Sequence, residues 1–380
     1  MASAVRVVLN PNRRSVPAQA LLDALQGRVV GQGEALERIV DTYQTLLAGL
    51  NSRQRPLANF LFLGPTGSGK THVVETLAET LFRNPRALIK VDCAEFQHSH
   101  EIAKLVGSPP GYLGHRETHP VLTQEALDQY QTPEVPLSLV LFDEIEKAAD
   151  ALWQLLLGIL DKASLTLGDN RHVSFARTMI FLTSNLGAGE MQALLRPGFG
   201  FAPASVGAGA VAELAGGTRR RLDSSAIAAA RRQFSPEFFN RLDHVVVFQP
   251  LDSAQLERVL DLELDAVRQR LASGPAHGLA HNLDGHAAGL EAVPVDFRCT
   301  ARARAHLLAE GADLKYGARH LKRAIERHLV APLASLLATN QVGGAHGINR
   351  VVVDYDEGAG LVFSREAALA HGALARGTTH

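Results

Sequence analysis

A glycine-rich stretch of eight residues has the composition and spacing of a phosphate-binding loop. It matches the pattern G-x-x-x-x-G-K-[ST], in which glycines let backbone N–H groups curl around phosphate oxygens. A helix that begins where such a loop ends adds the positive end of its dipole. We expect Lys70 to bridge the β- and γ-phosphates of a nucleotide, and the Thr71 hydroxyl to hold Mg²⁺. The stretch consists of Gly64, Pro65, Thr66, Gly67, Ser68, Gly69, Lys70 and Thr71.

Two acids at the end of an apolar run provide a second centre for the same chemistry. Leu139–Phe142 reads as a buried strand, and Asp143 and Glu144 follow it directly. We expect Asp143 to hold Mg²⁺ through water and Glu144 to polarise the water that attacks the γ-phosphate. A strand that ends in acids is often only the start of a solvated loop, so this pair is weak evidence alone. Together with the phosphate-binding loop it predicts an NTPase.

The phosphate-binding loop and the two acids can meet only if the strands before them end at the same edge of a sheet. The hydrophobic pattern predicts such a sheet. Short apolar runs at 60–63, 87–91, 137–142 and 179–183 predict strands. Helical patterns lie between or before them, over 33–50, after Thr71 and over 148–160. Strands that alternate with helices predict an α/β fold with a parallel sheet.

The second half of the chain differs in composition. Residues 186–224 are rich in Gly, Ala, Ser and Pro and are expected to form a mobile insertion, with a mere spacer as the simpler interpretation. Beyond Leu251 the pattern is mostly helical, with an exposed loop at 272–293 and a terminal hairpin from 351–355 and 361–363. We place a boundary near Gln249–Pro250. The expected parts are an N-terminal extension 1–27, a large α/β domain 28–249, a small helical domain 250–365 and a tail 366–380.

Composition excludes several other classes of protein. The 380 residues include 38 basic and 39 acidic ones, a net charge of −1, so no basic field favours nucleic acid or an anionic membrane. No segment approaches the roughly 18 uninterrupted apolar residues of a membrane span. Two cysteines and no secretory leader at the start predict a cytoplasmic protein. The histidine pairs at 98/100 and 115/119 lack a full ligand set, so we expect no metal site there.

Several short stretches, in this order, resemble the AAA+ module of the Clp family of protein unfoldases and disaggregases, specifically the second ATPase ring of the two-ring members. The resemblance covers about 28 to 355. It implies an AAA+ P-loop NTPase fold, with a parallel sheet flanked by helices and a smaller, mainly helical C-terminal domain that carries a short β-hairpin. The matching stretches are 28–32, 60–71, 107–114, 139–147, 183–187, 234–243 and 316–319.

The resemblance also implies roles for single residues. Val29 and Val30 would line an adenine pocket, which makes the nucleotide ATP, bound with Mg²⁺. Asn185 resembles the sensor 1 residue that orients the attacking water, and Arg319 resembles sensor 2. Arg241 resembles the arginine finger that reaches a neighbouring subunit's site, which implies a ring, a homohexamer. An ordinary ion pair with Asp243 or another nearby acid is the alternative for Arg241.

The resemblance makes 111–114 a pore loop that grips polypeptide, with Tyr112 and Leu113 as the contacting residues. A surface turn with Tyr112 folded onto the protein is the alternative. The sequence departs from the family pattern at three places: 115–119, which are less acidic than usual, 161–164, and His320, where proline is common.

The favoured interpretation is a stand-alone, single-ring, ATP-driven unfoldase or disaggregase that acts on unfolded or aggregated polypeptides. A second is the ATPase cap of a compartmental protease, with 196–201 as the docking loop, although Pro197 stands where an aliphatic residue is usual. A third is a nucleotide-switched scaffold with little turnover. An adaptor or protease partner is possible in the first two cases, and none involves nucleic acid or a membrane.

Overall fold

The computed structural model describes residues 9–108, 120–195, 208–272, 295–311, 317–339, 341–342 and 349–365. Contacts divide the chain into two compact units, of which unit 1 ends at Leu251 and unit 2 begins at Asp252. The boundary expected from the sequence, near Gln249–Pro250, lies immediately before this division.

Unit 1 contains a sheet with helices on both faces. Its helices are α1 (Val16–Gln26), α2 (Gly33–Leu47), α3 (Lys70–Phe82), α4 (Ala103–Val106), α5 (Gln124–Asp128), α6 (Asp150–Lys162), α7 (Ala188–Leu195), α8 (Ala208–Gln233) and α9 (Pro236–Phe239). Its strands are β1 (Ala58–Leu63), β2 (Ile89–Asp92), β3 (Ser138–Asp143), β4 (Ser164–Thr166), β5 (His172–Ser174), β6 (Thr178–Ser184) and β7 (His244–Val247).

The main sheet is five-stranded, with the order β2-β3-β6-β1-β7, and every neighbouring pair is parallel. β1 is buried along its whole length because it lies inside the sheet and is covered on both faces. Alternate residues of β1 therefore enter different cores, Phe60 and Phe62 on one face and Leu61 and Leu63 on the other. β4 and β5 form a separate two-stranded antiparallel pair.

Helices α1, α2 and α3 cover one face of the sheet, and α6 and α8 cover the other. The apolar side of α1 contributes fully buried residues to the first of these cores, including Ala18 and Leu25. Helix α1 begins at an N-cap in which the Ser15 hydroxyl accepts the N–H of Ala18. Residues 16–26, which the sequence analysis assigned to an extension, thus form part of the α/β core.

The described part of 186–224, where the sequence predicted a mobile insertion, is mostly helical. Helix α7 occupies 188–195, and α8 is a 26-residue helix that extends to Gln233. The Gly and Ser content suggested a spacer, but Leu222, Ala226 and Ala230 of α8 pack into the core beside the sheet. Burial of this apolar side stabilises the second half of α8.

Unit 2 is mainly helical and has its own core. Its elements are α10 (Ser253–Ala272), β8 (Val295–Cys299), α11 (Ala301–Gly311), α12 (Ala318–Ile325), α13 (Ala331–Ala338), β9 (Asn349–Asp356) and β10 (Gly360–Arg365). The predicted hairpin is present as β9 and β10, and β8, which the sequence analysis missed, adds parallel to β9. The predicted fold class is confirmed: a parallel sheet flanked by helices, and a smaller helical part with a hairpin. Within the residues described, none of the helices combines the length and apolarity that a membrane crossing requires.

Candidate functional site

The glycine-rich loop connects the end of β1 to the start of α3, as the sequence predicted. Gly64 has φ +139°, and a Cβ atom there would lie 2.5 Å from the carbonyl oxygen of Phe248. Gly69 precedes the first residue of α3 with φ +97°, and a Cβ atom there would meet nothing within 4 Å. Glycine is therefore needed at 64 by a close backbone approach and at 69 by the backbone conformation alone.

The ammonium group of Lys70 is folded back over this loop. Its Nζ atom donates to the carbonyl oxygens of Gly64 (2.7 Å) and Pro65 (2.9 Å) and to Oδ1 of Asn185 (3.0 Å). The Thr66 hydroxyl also donates to Asn185 Oδ1, at 3.3 Å. Lys70 is buried, with 7% of its surface exposed. A cation in a desolvated position is a strong partner for an incoming anion.

Thr71 and Asp143 meet at the edge where the parallel strands end. The Thr71 hydroxyl donates to the two carboxylate oxygens of Asp143, at 3.1 and 3.2 Å. Thr183, at the end of the neighbouring strand β6, donates its hydroxyl to Oδ1 of the same carboxylate. Lys90 of β2 lies 4.0 Å from Oδ2. A hydroxyl and a carboxylate are hard oxygen ligands of the kind that Mg²⁺ prefers, so this donor set fits the ion.

Glu144 and Asn185 are joined by a short polar network. Asn185 Nδ2 donates to Glu144 Oε1 (3.3 Å), and the Asn185 N–H donates to Glu146 Oε1 (3.1 Å). Glu144 is a non-glycine residue with φ +57°, and its own N–H donates to the Thr183 hydroxyl at 3.0 Å. Lys147 forms an ion pair with Glu144, and the hydrogen bond to that carboxylate raises the pKa of Lys147. A strained backbone that is held by its neighbours is frequent at functional sites.

Asn185 is thus the centre of the site. Its amide oxygen faces Lys70 and its amide nitrogen faces Glu144, so one planar group connects the phosphate-loop cation to the candidate water-activating carboxylate. Cys93 is buried in the core beside the sheet, and its thiol pKa is raised by burial first and by the charge of Asp143 second. This thiol remains protonated at neutral pH and packs as an apolar group.

The segment before α2 borders the phosphate loop. Val29 and Val30 are both buried, and Val29 belongs to the core on that face of the sheet. Gln32 follows them, and its Nε2 atom donates to the carbonyl oxygen of Ser68 at 3.0 Å. The apolar surface of the two valines suits an adenine ring, which is the role that the family resemblance implies for them.

Arg241 is at the opposite edge of the sheet from these groups. Asn59, the second residue of β1, donates Nδ2 to the carbonyl oxygen of Arg241 at 2.9 Å. The guanidinium donates to the carbonyl oxygen (2.8 Å) and Oε1 (3.1 Å) of Glu237 and lies 3.9 Å from Asp161. Of the acids that the alternative allows, Glu237 thus pairs with Arg241, whereas Asp243 accepts the N–H of Asn59 and lies 3.7 Å from Arg55.

The remaining predicted site residues lie elsewhere. Arg319 is exposed, in the second position of α12 in unit 2. Tyr112 and Leu113 lie outside the described residues, as does the 196–201 segment. His98 and His100 stack on each other with ring centroids 5.7 Å apart. Across the residues that the structure covers, no group of three or more His, Cys, Asp or Glu side chains could hold a metal ion.

Three residues that contribute to the arrangement escaped the sequence analysis. Thr183 ends an apolar strand beside Asp143, and its polar side chain at that position was an available signal. Gln32 and Asn59 are buried polar residues, 6% and 0% exposed, and Asn59 lies inside an apolar segment. A lone Asn in the run Ala58–Leu63 could have been flagged, since a buried amide needs a partner.

The chain matches two family models. Residues 55–245 match the model described as "AAA domain (Cdc48 subfamily)", which corresponds to the α/β part of unit 1. Residues 279–350 match the "C-terminal, D2-small domain, of ClpB protein". The first match alone spans half of the chain, and the second lies within unit 2.

Relatives of known description agree with these matches. The chain is 36% identical over 327 residues to the chaperone protein ClpB of Meiothermus ruber, covering 86% of this chain and 33% of that protein. It is 32% identical over 338 residues to the negative regulator of genetic competence ClpC/MecB of Bacillus subtilis, covering 89% of this chain and 37% of that protein. It therefore spans about a third of the length of the curated relatives that it matches.

A solved structure is similar as well. A chain in a closed-state cryo-EM reconstruction of Hsp104 with ATPγS and FITC-casein has a TM-score of 0.69 and 25% identity; the match covers 92% of this chain and 51% of that chain. The predicted family is therefore confirmed from two directions, sequence and fold. With its phosphate loop, its acidic strand end and its ClpB-type small domain, the chain belongs to the Clp family of AAA+ ATPases.

Proposed function

We propose that this chain hydrolyses ATP in a ring of identical subunits, a homohexamer, and uses that energy to pull unfolded or aggregated polypeptides through a central pore. The observation that carries the proposal is the position of Asn185, whose side chain contacts both Lys70 and Glu144. Hydrolysis of a terminal phosphate needs a phosphate-binding cation and a water-activating carboxylate held a fixed distance apart. A single amide between them provides that separation.

In this proposal each group of the site has a defined task. The loop 64–69 and Lys70 bind the phosphates of ATP, and Val29 and Val30 contact the adenine. Thr71 and Asp143 would hold Mg²⁺, which neutralises phosphate charge when bound. Asn185 orients the attacking water, and Glu144 accepts its proton. Arg319 would add a second cation on the γ-phosphate from the small domain.

The location of Arg241 supports its action on a neighbouring subunit. Asn59, which holds the Arg241 carbonyl, lies five residues before Gly64 on β1. At about 3.3 Å per residue this places them about 16 Å apart, farther than an arginine side chain extends. Arg241 is therefore too far from its own phosphate loop to contact it. A head-to-tail ring, in which one subunit's Arg241 faces the next subunit's site, resolves this.

Hydrolysis is tested with Glu144→Gln. The amide keeps the hydrogen bond from Asn185 but accepts a proton poorly, so MgATP should bind with an affinity within about twofold of the parent while turnover falls by about 100-fold or more. Glu134→Gln, on an exposed loop, is the matched control. Turnover at the parent rate in Glu144→Gln would refute the water-activating role, and a parent that binds ATP without turnover would favour the scaffold.

The subunit-spanning role of Arg241 is tested by mixing variants. Arg241→Ala should bind ATP without hydrolysing it, and Lys70→Ala should fail to bind it. A ring with both subunits has interfaces in which an intact loop faces an intact Arg241, so mixing should restore part of the activity. Particle mass with and without ATPγS reports assembly in parallel. A parent that stays monomeric at high concentration with nucleotide and denatured protein present would contradict the ring.

The pore is tested with Tyr112→Ala. Loss of the aromatic grip should leave ATP hydrolysis within about twofold of the parent and abolish unfolding of a tagged model substrate. Tyr130→Ala, which lies beside the core of unit 1, controls for the loss of a tyrosine as such. Unfolding at the parent rate in Tyr112→Ala would remove the pore from the proposal without affecting the ATPase.

A further inference from the structure

The side chain of Gln32 joins the phosphate loop to the segment that ends unit 1. Its Nε2 atom donates to the carbonyl oxygen of Ser68 and to the carbonyl oxygen of Gln249, each at 3.0 Å. Its Oε1 atom accepts the N–H of Gln249 at 3.3 Å. The residue is 6% exposed. Two residues beyond Gln249 lies Leu251, the last residue of unit 1.

The hydrogen-bond partners fix the orientation of this amide. In the reversed orientation Oε1 would face two carbonyl oxygens and Nε2 would face an N–H group, which exchanges every attraction for a repulsion. Gln32 therefore pairs with both main-chain groups of Gln249, as a neighbouring strand would, and uses its second N–H on Ser68. A buried planar amide with three hydrogen-bond partners cannot follow one of them without disturbing the others.

A second contact ties the same segment to the other end of the phosphate loop. The N–H of Phe248 donates to the carbonyl oxygen of Leu63 at 2.7 Å. The Phe248 carbonyl oxygen lies so near Gly64 that a Cβ atom there would come within 2.5 Å of it. Phe248 and Gln249 are thus held against the start of the loop directly and against its end through Gln32. Gln249 extends the connection by donating Nε2 to Asp223 of α8 at 2.6 Å.

We propose that Gln32 is a positioning residue that transmits nucleotide binding at the phosphate loop to the 248–251 segment. The inference rests on the proposed function, because it requires that the loop binds nucleotide. Phosphates that occupy the loop draw its backbone N–H groups inward and move the Ser68 carbonyl with them. The Gln32 amide passes that displacement to the main chain of Gln249, since breaking a buried hydrogen bond costs more than shifting it.

Hydrogen exchange with MgADP as the probe tests the proposal. In the parent, MgADP should slow exchange both in the phosphate loop and at the amide of Gln249. In Gln32→Leu, which keeps a side chain of similar size and removes the three bonds, the loop should still respond while the Gln249 amide does not. MgADP affinity should fall about two- to tenfold, the effect of about one lost hydrogen bond, because only the bond to Ser68 reaches the phosphate loop. Gln249→Ala is the matched control, because Gln32 holds the main chain of Gln249, and it should respond as the parent does.

The outcomes separate this inference from the proposed function. A parent that binds MgADP without slower exchange at Gln249 overturns the inference alone, and so does a Gln32→Leu variant whose Gln249 amide responds fully. A parent that does not bind MgADP overturns both. If Gln32→Leu does not fold, Gln32→Glu replaces it: the carboxylate still accepts the Gln249 N–H but has no donor for Ser68, so the response at Gln249 should again be lost.

Discussion

Asn59 offers a direct test of the buried network beneath Arg241. Its amide nitrogen donates to the carbonyl oxygens of Leu160 (3.1 Å) and Arg241 (2.9 Å), while its amide oxygen is buried without a partner. Asn59→Ala leaves two carbonyl oxygens unsatisfied, at about 1–3 kcal/mol each, and removes one unsatisfied oxygen worth about the same. We therefore expect a net loss of about 1–3 kcal/mol in the free energy of unfolding.

Asn59→Asp makes a sharper version of the same test. The carboxylate has nearly the same shape, but it places oxygen against the two carbonyls where the amide placed N–H groups. We expect a larger loss than in Asn59→Ala at pH 7. The folded state would favour the protonated acid, so the pKa of the introduced carboxyl would be raised above its value in the unfolded chain, about 4. The Asp variant should therefore gain stability relative to the parent as pH falls from the raised pKa to the unfolded one.

Urea unfolding followed by tryptophan fluorescence measures both variants. Trp153 is the chain's one tryptophan, and it packs on Phe234 and Phe238 in unit 1, so its emission reports on the fold around Arg241. Because the Arg241 carbonyl loses its anchor, turnover should fall severalfold while MgADP affinity stays the same. An Asp variant as stable as the Ala variant at pH 7, with no gain at lower pH, would refute the orientation assigned to this amide.

Three further outcomes follow from the geometry. Gly64→Ala should lower MgADP affinity by at least about tenfold and destabilise unit 1. Gly69→Ala introduces only backbone strain and should cost about 1 kcal/mol in the free energy of unfolding. Equal stabilities of the two variants would contradict the close approach at Gly64. Burial raises the pKa of Cys93 and raises that of Cys299 to about 11. Neither thiol should therefore react with a disulfide reagent at pH 8 until denaturant is added. Rapid labelling of the folded chain would contradict this. Burial lowers the pKa of His244 from its ordinary 6.5, so the unfolded state binds more protons than the folded state just below that pH. The free energy of unfolding should therefore fall as pH drops through 6.5, and this pH dependence should be shallower in His244→Gln. The same pH dependence in both proteins would count against a buried neutral imidazole.

Much of the candidate site could be predicted from the sequence because its main parts are contiguous. The loop 64–71 and the pair Asp143–Glu144 can each be recognised from consecutive residues. For the loop, the reason is that a phosphate-binding site of this kind needs a turn followed by a helix. Apolar runs likewise predicted four strands of the main sheet. The sequence did not predict the fifth strand, His244–Val247, because its run is only four residues long and begins with a histidine.

What the sequence determined by itself is therefore the local chemistry: a cation, hydroxyls and carboxylates placed at turns and strand ends. Only the tertiary structure decided which of them meet, since the sheet order β2-β3-β6-β1-β7 is not the chain order. That order brings Gln32 to Gln249, 217 residues away, and Asn59 to Arg241, 182 residues away. The partners of these buried amides are main-chain groups, which every residue carries. No pattern of side-chain types could therefore have predicted which groups the amides contact.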